Sequence, residues 1–180
     1  MKNGQFSRIV VGTLALLLAF TAGVAMAADR PDVWVTMKAK VALMTTEGVS
    51  TTDLNVDTVN GIVTLHGKVA TDAERALAEK VARGIDGAKD VKNLLQVVPS
   101  AQREVVQRAD DAILEAVKDA FKANRRVSDS GITVASVNKG VVLLSGKAKS
   151  LEVHLEAVEV ANAVKGVRRV STEVEVLPAS

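Results

Sequence analysis

Asn60-Gly61-Ile62-Val63-Thr64-Leu65-His66-Gly67-Lys68 opens with a turn signal and runs into a short apolar strand. The chain writes the same sentence again as Asn138-Lys139-Gly140-Val141-Val142-Leu143-Leu144-Ser145-Gly146-Lys147. Asn-Gly tolerates positive φ at both positions and marks a two-residue hairpin turn. Upstream, Leu54 to Val59 alternates apolar and polar, as a half-buried strand does, and the returning strand puts Val63 and Leu65 on one face. Such a repeat decides the architecture before any other feature.

Working outward, residues 61–99 lie over 140–178 at an offset of 79 without gaps. Gly61, Val63, Leu65, Gly67, Lys68, Ala78, Gly87, Val91 and Pro99 then meet identical residues, Gly140, Gly146 and Gly166 among them. Upstream the offset is 78, pairing Val35 with Ile113, Ala39 with Val117 and Leu43 with Phe121. The extra residue is expected in the hairpin turn, as Lys139, because turns absorb insertions.

Each copy starts with a helix. Val35, Ala39, Ala42 and Leu43 recur at helical spacing in the first; Val106, Ala109, Ile113, Val117 and Ala120, with Phe121, do so over 101–124 in the second. After the hairpin, Thr71-Asp72-Ala73-Glu74 has the form of a capping box and starts a second helix. Its equivalent runs from about Leu151 to Val164, and alternating strands around Val91–Val97 and Val170–Val176 close the units. The expected fold class is α+β: two tandem domains over 28–99 and 100–180, each α-β-β-α-β. Two helices pack on a small mixed three-stranded sheet, the second helix being the crossover to the third strand.

Residues 1–27 read as a secretory signal peptide. Lys2 and Arg8 precede an apolar run from Ile9 to Phe20, and Ala25-Met26-Ala27 supplies small residues for cleavage after Ala27. The leader holds two of the 23 basic residues and no acidic ones, so the remainder carries 21 charges of each sign. That balance argues against nucleic acid as a partner. Cysteine is absent, which excludes disulfides, thiol catalysis and an acylated N-terminal cysteine. Aromatic residues are 2% of the chain, too few for a stacking platform.

No constellation for catalysis, cofactor or metal emerges. His66 matches Ser145 and His154 matches Arg75, so neither histidine belongs to the repeat, and both read as surface residues. Gly61 to Lys68 lacks phosphate-loop spacing, and the glycines Gly61, Gly67, Gly87, Gly140, Gly146 and Gly166 read as structural. Ser145 has no nucleophile-elbow context. The expectation is a protein that is not an enzyme.

Function is therefore sought where the copies differ. Trp34, the only tryptophan, starts the first helix and suits either core packing or an interfacial anchor. In the second unit's second helix, Leu151, Leu155 and Val158 form an apolar stripe where the first unit has Asp72, Ala76 and Glu79. A helix apolar on two sides is normally buried on both, so this stripe is expected to be an interaction surface: for the other domain, a second copy in weak self-association, a client protein or a membrane. Lys122, Arg125 and Arg126 end the long helix, and Lys165, Arg168 and Arg169 stand at the last helix–strand junction. These are the expected contacts for lipid headgroups, against the ordinary role of balancing helix dipoles.

The pattern strand, Asn-Gly-x-Val-x-Leu-x-Gly, helix, Gly-x-x-x-Val, strand resembles the BON domain. It is carried here by Gly61, Val63, Leu65, Gly67, Gly87 and Val91, and by Gly140, Val142, Leu144, Gly146, Gly166 and Val170. The resemblance covers nearly the whole chain after the leader. It implies a periplasmic envelope or osmotic-stress protein that binds phospholipid membrane surface, or alternatively a chaperone or adaptor that binds envelope proteins. It supplies no catalytic residue.

Overall fold

The computed structural model describes residues 31–177; the leader expected over 1–27 lies outside them. The first unit runs α1 (Asp32–Met44), β1 (Leu54–Val59), β2 (Ile62–Val69), α2 (Asp72–Arg83), β3 (Asp90–Asn93) and β4 (Gln96–Val97). After a 3₁₀ turn at Ser100–Gln102 the second runs α3 (Arg103–Ala123), α4 (Arg125–Ser128), β5 (Gly131–Asn138), β6 (Val141–Ala148), α5 (Leu151–Asn162), β7 (Arg169–Thr172) and β8 (Glu175–Val176). In each sheet the central strand pairs antiparallel with its hairpin partner on one side and parallel with the crossover strand on the other. The expected α-β-β-α-β order is present twice.

The third strand of each unit is not continuous. Its break has the same cause in both: the Asn93 side chain accepts from Leu95 N at 3.1 Å, and the Thr172 hydroxyl accepts from Val174 N at 3.1 Å. A local side-chain acceptor replaces the ladder for one residue, and pairing with the central strand then resumes.

Both hairpin turns have two residues, Asn60-Gly61 and Lys139-Gly140, all at positive φ. Lys139 is therefore not the inserted residue. The register shift falls between Val134 and Ser136, so Ala135 is a β-bulge in β5. A bulge adds one residue to one strand and leaves the partner unchanged, which explains why the offset changes before the turn.

Helix packing builds one core per unit. Val35, Ala39 and Leu43 of α1 and Ala78 and Ala82 of α2 cover Val56, Val63 and Leu65; in the second unit Val117, Phe121, Ala157 and Ala161 cover Val142 and Leu144. The long helix departs from expectation. Ala109 is exposed and Asp110 is buried in its place, and the helix breaks at Asn124, whose Oδ1 accepts from Arg126 N and Val127 N to start α4. The capping box holds in part. Thr71 Oγ1 accepts from Glu74 N at 3.1 Å, but the Glu74 carboxylate accepts from Ala70 N and Ser50 N.

Gly67 and Gly146 are fixed by close approach. A Cβ on either would lie 1.9 Å from Asp53 O or 2.0 Å from Gly131 O. Gly84, by contrast, has helical φ of −81° at the end of α2, with its nearest neighbour at 3.4 Å. Gly67→Ala is expected to lower stability by about 2 kcal/mol or more, and Gly84→Ala to raise it by about 0.5 kcal/mol. Urea denaturation of the two variants checks the pair.

Candidate functional site

The first helix of each unit carries a carboxylate that holds its own hairpin, at the start of α1 and two turns into α3. Asp32 accepts from Asn60 N at 2.7 Å and Gly61 N at 2.8 Å. Asp110, its counterpart at offset 78, accepts from Lys139 N at 2.9 Å and Gly140 N at 3.0 Å. The turn amides point away from the ladder and need an acceptor; the carboxylate supplies it and locks helix to sheet.

Asp110 has a second role. Lys68, from β2 of the first unit, places its ammonium 3.1 Å from Asp110 Oδ2 and donates to Gln107 Oε1 and Asn138 Oδ1. Both charged side chains are almost fully buried, which makes this the pin between the units. Around it the sheet faces that point away from the helices meet. Thr64, His66 and Lys68 of β2 are buried there, as are Val141 and Leu143 of β6, which belong to neither core cluster. Arg103–Asp53 at 2.6 Å, Lys92 Nζ to Thr172 O at 3.1 Å and Lys139 Nζ to Val97 O at 3.2 Å complete the seam.

His66 is thus buried, not on the surface: polar residues on β2 alternate toward the second unit instead of toward water. Its Nε2 lies 2.8 Å from Asp57 Oδ2, and this hydrogen bond holds the Asp57 carboxyl below its ordinary range. Glu173 lies across the seam, and burial pushes its carboxyl up. Its Oε1 has no partner among the described residues. His154 pairs with Thr172 Oγ1 at 2.9 Å. Among the described residues no group of three or more His, Cys, Asp or Glu is placed to hold a metal ion.

The residues singled out in the sequence fall in separate places. Leu151 and Leu155 are exposed on α5, so the first unit does not cover them; Val158 is half-buried against its own domain's core. Lys122 pairs with Asp119 at 3.0 Å, and Arg126 approaches Glu156 at 3.6 Å beside α5. Lys165, Arg168 and Arg169 sit near the Lys139-Gly140 turn, where Arg168 Nη1 donates to Lys139 O. That turn is held by Asp110, so the second basic group lies about 18 Å along α3 from Lys122. The structure does not bring the basic groups together.

Trp34 is half exposed on α1, with Lys38 Nζ 5.8 Å from its ring centre. It has company that the sequence reading missed: Val33, Met37, Val41 and Met44 are exposed beside it. At about 100° per residue these five side chains fill a roughly 100° arc, with Lys40 on one rim and Lys38 on the other. Their counterparts at offset 78 are Asp111, Ala112, Glu115, Asp119 and Lys122, a wet face. Comparing the first helices of the copies, and not only the second, would have shown this.

A BON domain model matches residues 31–99 and again 109–178. The chain belongs to the BON-domain family. The two BON domains stand in tandem, and the chain is 32% identical over 145 residues to osmotically-inducible protein Y of Escherichia coli (strain K12), covering 80% of this chain and 72% of that protein. Among solved structures, CdsD, a structural protein of the type III secretion system of Chlamydia trachomatis, aligns at 18% identity and TM-score 0.30, over 83% of this chain and 65% of the other. A second structure, of the C-terminal domain of CdsD, aligns at 18% identity and TM-score 0.31, over 82% and 67%.

Removing one partner of a buried ion pair leaves the other charge uncompensated, a loss of about 3 kcal/mol. Lys68→Met should therefore uncouple the BON domains. Trp34 fluorescence, which reports the first domain alone, would then melt apart from far-ultraviolet circular dichroism, where the parent shows one transition. The seam also sets a pH dependence. The stabilisation from Asp57 is full above the ordinary carboxylate range and lost as pH falls through its depressed value. Glu173 acts in the opposite sense: its raised pKa means a cost that is full above that value and gone below the ordinary glutamate value of 4.5. Glu173→Gln should raise the melting temperature at pH 7.5, with the gain vanishing by about pH 4.

Proposed function

We propose that the protein is a non-enzymatic osmotic-stress protein of the periplasm that binds phospholipid membrane surface through the outer face of α1. The observation that carries this reading is the arc Val33, Trp34, Met37, Val41 and Met44 with lysines on both rims. Lying flat, such a helix sinks its apolar arc to the boundary of headgroups and acyl chains while Lys40 reaches back to phosphate and Lys38 stays paired with Asp86 at 3.3 Å. Removing the exposed part of five such side chains from water is worth on the order of 5 kcal/mol. Trp and Lys are the residue types that favour this depth. The leader and the similarity to osmotically-inducible protein Y support export and the stress context.

The client-binding alternative rests on a smaller surface. With Val158 half-buried, Leu151 and Leu155 are the apolar side chains left exposed on α5, and Glu152, Glu156 and Glu159 share that helix. The basic groups of the second domain are dispersed and partly paired within the protein. They are secondary to α1 in this reading.

Because Trp34 is the only tryptophan, its emission reports the proposed contact directly. Vesicles of phosphatidylcholine and phosphatidylglycerol should shift Trp34 emission to the blue. Met37→Glu and Val41→Glu should each weaken partitioning about tenfold, whereas Leu155→Glu should leave it within about twofold. An unshifted spectrum at low salt would refute membrane binding by α1. Loss of binding in Leu155→Glu alone would move the surface to α5.

A further inference from the structure

We infer that the free edge of β1 is a docking site for an extended peptide strand in which apolar and basic residues alternate. β1 ends its sheet and pairs only with β2. Val59 and Ile62 flank a two-residue turn, so Val59, Asp57 and Asn55 bond inward to β2. The N–H and C=O groups of Val56 and Thr58 therefore face outward, and among the described residues they have no partner. A regular strand edge of this kind is a template for another strand, and proteins usually blunt it with lysine, proline or a bulge.

The second domain does blunt its equivalent edge. β5 carries the Ala135 bulge, whereas β1 has no bulge, no proline and no lysine over its six residues. The edge is also open along its length. A cavity of about 630 Å³ lies against Asp57, Thr58 and Val59, walled by Thr36 and Met37 of α1 and closed across by Ala135. A second of about 300 Å³ continues against Leu54, Asn55 and Val56, walled by Leu43 and Met44. Lys40 borders both, and the two lie end to end along the β1 edge.

The walls specify the occupant. On β1 Val56 turns toward the α1 core side, and Asp57 toward the seam with the second domain. An added strand alternates in the same way, since side chains on neighbouring strands share faces. Its residues on one face would meet Met37, Met44 and Thr36, which suit apolar side chains. Those on the other would meet Asp57, Ser145 and the Glu173 side chain, which suit lysine or arginine. Lys40 is the only cation on the groove wall. A strand matching β1 spans about six residues, roughly 20 Å. This mode is β-augmentation: backbone bonds give affinity and the two faces give selectivity.

The test uses the purified protein without lipid and a fluorescein-labelled decapeptide of alternating valine and lysine. Fluorescence anisotropy should show saturable binding. The same peptide N-methylated on the alternate residues that donate should bind at least about tenfold more weakly. Thr58→Pro removes one outward donor where edge strands tolerate proline; it should weaken binding several-fold, whereas Thr58→Val should not. Hydrogen exchange of the unaltered protein guards against a misfolded variant: bound peptide should slow the Val56 and Thr58 amides about tenfold. Equal binding of the methylated peptide, unchanged exchange at both amides, or no saturable binding each overturns the proposal.

Discussion

A carboxylate on the first helix, accepting from two hairpin-turn amides, holds each BON domain together. Asp32 does this for Asn60 and Gly61, and Asp110 for Lys139 and Gly140. The bonds fix where the first helix crosses its sheet, and therefore which face of that helix reaches the core. Everything outside depends on it: α1 can turn Val33, Met37 and Val41 outward only because Val35, Ala39 and Leu43 are committed inward. In the second domain the same carboxylate is also the anchor for Lys68. Local folding and domain docking thus share one side chain, so the relative position of the domains is tied to the integrity of the second hairpin.

Docking through polar sheet faces has a physical consequence. The seam holds Lys68, Asp110, His66, Asp57 and Glu173 beside the buried Val141 and Leu143. Lys68 and Asp110 are well satisfied, while His66 Nδ1 and Glu173 Oε1 have no partner among the described residues. Buried polar networks that are only partly satisfied stabilise weakly. The interface is accordingly specific at one end and soft at the other, and the soft end is where the β1 groove opens.

The fold was legible because local and global signals agree. The Asn60-Gly61 turn, the alternating strands, the Thr71 cap and a repeat in register all point to one topology. What escaped was nonlocal. Asp110 carries no local signal because its partners, two turn amides and a lysine, lie 29 to 42 residues away. His66 looked exposed because nothing local says that a polar strand face meets another sheet. The insertion was assigned to the turn because turns tolerate insertions, whereas a bulge such as Ala135 leaves little trace in composition. Trp34 was legible as a candidate; the arc around it was not, because a surface helix is expected to carry one apolar face and α1 has two.

That double face explains why comparing the copies is more informative than scanning for motifs. Residues bound by the common fold are the same in both: the glycines under the hairpin, the carboxylate above it, the apolar inner faces. A position free of those constraints drifts to charge unless something other than the fold requires an apolar side chain. On α3 the outer positions have drifted to Asp111, Glu115 and Asp119; on α1 the equivalent ones are Val33, Met37 and Val41. Exposed side chains of that size are unfavourable in water, and five on one arc are not a scattered exception. The same contrast separates the β1 edge from the bulged β5 edge. Both departures fall on the same side of the first domain, where α1 and β1 share the groove walls, and the second domain serves as the partner that holds that side in place.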